Sequence, residues 1–111
     1  MIGKNLTDSC IVHLTAFISK AYRLKTLNLS SNSLTDVGFR SLFNSFIKLD
    51  IQTLDFRNNQ LTISSLILLL EHYKFKNSKL RIVDLRRNSI QESVVRRFAK
   101  EISNLSFDLR I

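Results

Sequence analysis

Residues 24–34 read LKTLNLSSNSL, and two near copies follow, IQTLDFRNNQL at residues 51–61 and LRIVDLRRNSI at residues 80–90. Each copy has apolar residues at its first, fourth, sixth and eleventh positions and an asparagine at its ninth. A phrase that recurs every 20 to 50 residues indicates a repeat architecture, in which neighbouring units share one core. The stretch therefore predicts a solenoid of similar units.

The central part of each copy has the alternation of a short strand. In the first copy Leu27 and Leu29 would point into the core, and successive strands would stack in parallel. An asparagine after the strand can bond to backbone groups that the following turn leaves unpaired inside the protein. We therefore expect Asn32, Asn59 and Asn88 to form a buried ladder with a structural role.

The residues after each copy have the period of a helix. Thr35 and Asp36 are suited to cap the first of these helices, and Gly38 suggests a close approach of that helix to its strand. The expected apolar faces are Val37, Phe39, Leu42, Phe43 and Phe46, then Leu66, Leu69, Leu70 and Tyr73, then Val95, Phe98, Ala99 and Ile102.

The same pattern extends backwards, where Cys10, Ile11, Leu14 and Ile18 take the places of later helical residues. Residues 4–21 are thus predicted to be the helical half of an earlier unit. Lys4 stands where an asparagine is expected, so that unit departs from the pattern.

The pattern L-x-x-L-x-L-x-x-N-x-L resembles the leucine-rich repeat, and its spacing of 27 and 29 residues with a helical second half resembles the ribonuclease-inhibitor-like class. The resemblance implies an α/β solenoid of curved right-handed β-α repeats, with a short parallel sheet on the concave face and helices on the convex face. We expect a single domain over residues 1–111. It would comprise a helical half-unit at 1–22, repeats at about 23–49, 50–78 and 79–104, and a partial strand at 105–111.

The two ends of the sequence fall at equivalent points of the repeat, because Met1, Leu29, Phe56, Leu85 and Ile111 share one position. Repeat proteins usually carry polar capping units, and nothing in this sequence resembles one. We expect either a part of a longer solenoid or a chain whose ends are covered by a partner.

Composition narrows the classes of function. Lysine and arginine outnumber aspartate and glutamate by 17 to 9, so the protein should attract acidic partners or nucleic acid. Cys10 is the sole cysteine and cannot form an internal disulfide, which favours an intracellular location, cytoplasmic or organellar. The apolar run at residues 66–70 is far shorter than the roughly 20 residues that span a bilayer, so membrane insertion is not expected.

Candidate chemistry is sparse. His13 and His72 lie on different predicted helices without metal-ligand spacing around them. Asp55 and Asp84 would stand on adjacent strands, about 5 Å apart, where two carboxylates could act as acid and base or bind a cation. Arg57 and Arg86 occupy the next outward positions, however, which favours a charge ladder. We expect no catalytic residues, cofactor, metal or small-molecule substrate, and no enzyme activity.

The resemblance implies that outward strand residues bind partners. The expected partner-binding residues on the concave face are Asn28, Ser30, Asp55, Arg57, Asp84, Arg86 and Arg110, with Ser31, Asn58 and Arg87 at the rim. The three arginines of the strands would lie in or close to one row and could pair with an acidic surface. Ile67 and Leu68 align with polar positions of other helices, which suggests a convex contact unless the helix is rotated to bury one of them.

Three functions remain open from the sequence. The leading interpretation is a noncatalytic protein-protein interaction or scaffolding module within a larger assembly. The alternatives are a basic subunit associated with RNA or ribonucleoprotein, such as that of an organellar ribosome, and the sensing fragment of a regulatory or immune-type receptor.

Overall fold

The computed structural model describes residues 6–18, 20, 23–46, 49–73 and 79–111. Within these residues the strands are β1 (Thr26–Asn28), β2 (Thr53–Asp55), β3 (Ile82–Asp84) and β4 (Asp108–Arg110). The helices are a 3₁₀ turn at Asp8–Cys10, α1 (Ile11–Ile18), α2 (Asp36–Phe46), α3 (Ile63–Tyr73), α4 (Glu92–Arg97) and α5 (Ala99–Ser103).

The strands form a parallel sheet whose order follows the chain, β1-β2-β3-β4. Leu27, Leu54, Val83 and Leu109 lie in register across it, so each unit repeats the placement of the one before. A strand and a helix alternate along the chain, and the predicted α/β class with a short parallel sheet is confirmed.

The core lies between the sheet and the helices. The second apolar residue of the strand pattern is buried in the three full repeats, with exposures of 0% for Leu29 and Phe56 and 1% for Leu85. Phe39 on α2 meets Phe56 edge to face at a ring separation of 5.1 Å, which joins the helix layer to the sheet. The repeated leucine positions are therefore scaffold.

The three asparagines tie successive units together. Asn59 donates to the carbonyl of Leu29 in the preceding unit at 2.9 Å and accepts the N–H of Leu34 at 3.1 Å. Asn32 and Asn88 likewise accept an N–H from the unit before them, each at 2.9 Å. Asn59 is buried and the other two are half-buried. These bonds satisfy backbone groups that would otherwise be unpaired beneath the turns.

Two expectations for α2 are wrong. The helical period places Val37 on the apolar face, but it is 69% exposed because it lies at the first turn, outside the stripe formed by Phe39, Leu42 and Phe43. Gly38 approaches the preceding unit and not its own strand. A Cβ at this position would clash with Oδ1 of Asp8.

The predicted helix of the last full unit is interrupted. Phe98, with φ of −106° and ψ of 14°, separates α4 from α5, and neither helix contains a fully buried residue. Val95, Phe98 and Ile102 pack against the core from half-buried positions, whereas Ala99 is exposed. Three of the four residues of the expected apolar face thus pack against the core, whereas the break in the helix leaves Ala99 turned away from the sheet.

Some expectations fall on residues outside the described part of the chain. These are Met1 and Lys4, part of the helix expected at 4–21, and the side chain of Phe46.

Candidate binding surface

The sheet places the predicted partner-binding residues in two rows. The strand register aligns Asn28, Asp55, Asp84 and Arg110 in one row. Ser30, Arg57 and Arg86 follow two residues further along and form the second row. We call these two rows the concave face. Arg110 was expected in or near the row of the other arginines, but it lies in the row of the aspartates because it is the third residue of β4, the position that Asp84 has in β3.

Arg57 and Arg86 each clamp the aspartate two residues before them. The Arg57 Nε and Nη2 atoms donate to the Asp55 carboxylate at 3.0 and 2.8 Å, and its backbone N–H donates to the same group at 3.1 Å. The Arg86 atoms repeat this on Asp84 at 2.9, 2.7 and 3.1 Å. Such paired contacts hold the guanidinium planes in fixed orientations.

The first unit makes a neutral version of the same clamp. The Oδ1 atom of Asn28 accepts the backbone N–H of Ser30 at 3.0 Å and its hydroxyl at 2.8 Å. Ser30 is only 5% exposed, so little of its side chain is available to a partner on the concave face. Its hydroxyl is directed to Asn28 and not to solvent.

Asp84 is also buried, at 5% exposure, which corrects its predicted role as a direct contact. Burial disfavours its charge, but the hydrogen bonds from Arg86 and the charges of Arg86 and Arg57 outweigh burial and hold the pKa of Asp84 below its ordinary value. The Arg57 Nε atom lies 3.7 Å from Asp84, so the clamps of neighbouring strands are connected.

The same contacts act on the arginines. The hydrogen bonds and charge of Asp55 raise the pKa of Arg57, and those of Asp84 raise the pKa of Arg86. Both guanidinium groups remain nearly half exposed, with side-chain exposures of 44% and 48%. The aspartates therefore serve as supports, and the arginines are the part of the concave face that a partner can reach.

The predicted rim residues share an uncommon backbone conformation. Ser31, Asn58 and Arg87 have φ values of 58°, 57° and 59°, in the left-handed region. This turn opens a depression of about 350 Å³ beside the concave face, lined by Ser30, Ser31, Arg57, Asn58, Arg86 and Arg87. Within the described part of the chain Arg87 makes no ion pair. It adds positive charge that no carboxylate of the site offsets.

Arg110 is less tightly held. Its Nε atom donates to Asp108 at 3.0 Å, and both side chains are about half exposed. The pair resembles the other clamps in its spacing of two residues. It lies at the β4 edge of the sheet and outside the depression.

The two convex candidates are both half-buried. Leu68 packs against the core, and Ile67 lines a groove beside α5. Of the two alternatives, the structure favours the rotated helix, whose apolar stripe includes part of each side chain.

The candidate enzyme groups do not converge. His13 is exposed on α1, whereas the His72 ring lies 5.1 Å from that of Phe43 and 4.9 Å from that of Tyr73. Over the described ranges, no three His, Cys, Asp or Glu side chains are grouped as a metal site would require. The described helices include none with the length and apolarity needed to cross a membrane.

Sequence reasoning missed a second set of contacts on the helix side. The Asp8 carboxylate accepts the backbone N–H of Thr35 at 3.0 Å and also its hydroxyl. One unit later, Asp36 accepts the N–H of Thr62 at 2.9 Å, its hydroxyl, and the Ser65 hydroxyl at 2.6 Å. The signal was available, since Thr-Asp recurs at residues 7–8 and 35–36, but it was interpreted as capping within one unit.

Comparison with known proteins agrees with this geometry. A family model described as Leucine Rich repeat matches residues 24–43. This match and the alternation of strands and helices support the expected similarity to leucine-rich repeat proteins.

The solved structure of "Leiomodin-1 Actin-Binding Site 2 (ABS2)" shares the fold with a TM-score of 0.75. The match covers 98% of this chain and 67% of that one at 13% identity, so the similarity is one of fold. No curated protein sequence matches the chain.

Proposed function

We propose that the chain is a noncatalytic protein-interaction module whose concave face binds an acidic surface of a partner protein. The observation that carries this proposal is the repeated Asp-Arg clamp, which presents Arg57 and Arg86 to solvent in fixed orientations beside Arg87. Planar guanidinium groups are well suited to paired contacts with carboxylates.

Preorganisation makes this surface suitable for a macromolecular partner. Each clamped arginine has already lost most of its side-chain freedom in the free protein, so binding costs less conformational entropy than it would with a mobile side chain. The excess of 17 basic over 9 acidic residues would also speed the encounter with an acidic partner. The similar leiomodin-1 structure is named as an actin-binding site, which is a protein contact on the same fold and supports this class of function.

The proposal is tested by cross-linking and mass spectrometry of the native complex, followed by affinity measurements with the partner found. Arg87→Gln removes an unpaired charge without breaking a clamp, and we expect it to weaken binding about tenfold. Arg97→Gln is the matched control, because Arg97 is exposed on α4 away from the depression. If both variants lose the same affinity for the partner, the loss is due to the overall charge of the protein, and the proposed site is contradicted.

RNA is the alternative that the net charge of +8 favours. Its contacts would be with phosphates, so binding of a uridine oligonucleotide should weaken steeply with salt and respond similarly to Arg87→Gln and Arg97→Gln. Failure of the oligonucleotide to bind, or oligonucleotide binding that changes little with salt, would contradict the RNA alternative.

A further inference from the structure

A groove on the helix side of the protein separates α3 from the broken helix of the last unit. It has a volume of about 300 Å³ and is lined by Ile67, Leu70, Glu71, Phe98, Glu101, Asn104 and Leu105. This volume is at the lower end of the range typical of ligand pockets, about 300–1,000 Å³. Phe98, the residue at which the helix is broken, is part of the lining.

The walls of the groove combine two chemistries. Ile67, Leu70 and Glu71 lie on one face of α3, since they are three and four residues apart. Phe98 and Leu105 supply apolar surface from the other side, and Glu101 belongs to the same wall. Both glutamates are exposed. Among the described residues, no lysine or arginine lines the groove.

The two glutamates differ from every other acidic residue of the chain. All nine acidic residues lie in the described part. Five accept an ion pair: Asp50 from Lys79, Asp55 from Arg57, Asp84 from Arg86, Glu92 from Arg96 and Asp108 from Arg110. Asp8 and Asp36 accept hydrogen bonds from the next unit.

Only Glu71 and Glu101 make neither contact within the described residues, and both border the apolar groove. In a chain with 17 basic residues, carboxylates readily find cations on the same surface. Glu71 and Glu101 therefore give this groove an acidic rim beside its apolar residues, although the net charge of the protein is +8.

We propose that this groove binds a basic amphipathic helix of a partner protein. An apolar side chain of that helix would occupy the floor formed by Ile67, Leu70 and Phe98. Lysine or arginine side chains one turn away would reach Glu71 and Glu101. This is the helix-in-groove mode, in which apolar side chains provide affinity and flanking charges select the partner. The groove is on the opposite side of the sheet from the concave face, so this proposal does not depend on the acidic partner.

The test uses the full 111-residue chain and a fluorescein-labelled Leu/Lys peptide of about four helical turns, designed to be amphipathic. Fluorescence anisotropy gives its affinity. A peptide of the same composition, scrambled so that leucine and lysine share every face, is the control ligand. We expect the amphipathic peptide to bind at least about tenfold more tightly than the scrambled one, since only it can place leucine in the groove.

Variants of the chain then locate the site. Glu71→Gln with Glu101→Gln removes both charges, and Ile67→Ser removes apolar surface; we expect each to weaken binding about fivefold to tenfold. The matched controls are Glu92→Gln, an exposed glutamate on α4, and Val37→Ser, an exposed apolar residue on α2. These, together with Arg87→Gln, should leave the affinity unchanged. Circular dichroism checks that every variant is folded.

Four results would overturn the proposal. The first is equal affinity for the scrambled peptide, and the second is loss of binding in the control variants as large as in the groove variants. The third is binding of dodecylamine in the groove without binding of the peptide, which would make the groove a site for small cationic amphiphiles. The fourth is a dimer of this chain, seen by sedimentation, that the groove variants dissociate.

Discussion

Individual residues on the concave face are arranged by a spacing of two along each strand. Residues two apart point to the same side of a sheet, so an aspartate in the strand and an arginine just after it are neighbours by geometry. The clamps of Asp55 with Arg57 and of Asp84 with Arg86 follow directly from that spacing. The spacing does not determine how deeply each aspartate is buried, and here Asp84 is buried while Arg86 is exposed.

Ser31, Asn58 and Arg87, the turn residues beside the concave face, share a left-handed backbone conformation. Asparagine tolerates positive φ better than most side chains, and it occupies the middle position of the set at Asn58. Arg87 adopts the same conformation, at φ 59°, without that advantage. Strain of this kind is concentrated at functional sites, where another role for the side chain compensates for it.

We therefore predict that Arg87→Asn raises the free energy of unfolding by about 0.5–1 kcal/mol while it weakens partner binding. Urea unfolding measures the first effect. Arg97 is the last residue of α4 and has a helical backbone conformation, so Arg97→Asn should not raise the free energy of unfolding. A loss of stability at position 87 would mean that the arginine makes a contact worth more than the backbone strain.

Two helices, α2 and α3, are capped by an aspartate of the unit before them. Asp8 holds the start of α2 through Thr35, and Asp36 holds the start of α3 through Thr62. The series ends at Ile63, which stands where an aspartate would be expected. Gln91 at the start of α4 accordingly has no side-chain cap. An uncapped helix start is destabilised, and α4 is six residues long.

Gly38 belongs to the same arrangement. At the equivalent place in the next unit, Ser65 bonds to Asp36, whereas at Gly38 the carboxylate of Asp8 occupies the space of a side chain. Alanine in a helix is normally about 1 kcal/mol more favourable than glycine. Here the added Cβ would displace Asp8 from Thr35, so the local preference and the contact between units oppose each other.

A double-mutant cycle separates these effects. We predict that Gly38→Ala lowers the free energy of unfolding by about 1 kcal/mol in the natural chain, because the lost hydrogen bonds outweigh the helix preference. In an Asp8→Ala background the same substitution should stabilise by up to about 1 kcal/mol. Thermal or urea unfolding of the four proteins measures the coupling. Additive effects would show that Asp8 does not occupy this space in solution.

The whole molecule depends on contacts between neighbouring units. The asparagine bonds run beneath the turns, the aspartate bonds run along the helix starts, and the sheet joins the strands. Each unit is thus incomplete alone, as is general for repeat proteins. Asp36 and Asp84 are charged members of this network, and both are linked to residues of other units.

Acid should weaken this network. Burial opposes the charge of Asp36, but hydrogen bonds from Ser65 and Thr62 outweigh it and hold its pKa below the ordinary value, as the arginines do for Asp84. A carboxylate whose pKa is lower in the folded than in the unfolded state stabilises above the unfolded value, near 3.8. That contribution is lost as pH falls through the folded value.

We predict that the contribution of these two groups to the free energy of unfolding is nearly constant between about pH 7 and 5. Below about pH 4 it decreases, so the protein becomes less stable. Asp36→Asn should reduce stability at neutral pH by about 1–2 kcal/mol and make the acid decline shallower. Urea midpoints across this pH range provide the measurement. Glu71→Gln is the control and should keep the full decline, whereas an unchanged slope in Asp36→Asn would exclude that carboxylate as a source.

Much of the fold could be predicted from the sequence because its cause is local and repeated. Alternation around Leu27 and Leu29 predicts a strand, the fixed offset of Asn32 predicts a bonded turn, and the period after it predicts a helix. For the candidate binding surface, the spacing placed Arg57, Arg86 and Ser30 on the outward side of the sheet. The structure exposes both arginines there but buries Ser30.

The sequence by itself thus determined the repeat, the parallel sheet, the leucine core and the charged rows, since each depends on spacing along the chain. Only the tertiary structure decided that Asp84 is buried, that the Asp8 carboxylate favours glycine at position 38, and that two glutamates without an ion pair among the described residues border one groove. The burial of a side chain and its ion pairs depend on side chains of the neighbouring units, which are about 27 residues away in the sequence. The spacing of residues within one unit gives no information about those contacts between units.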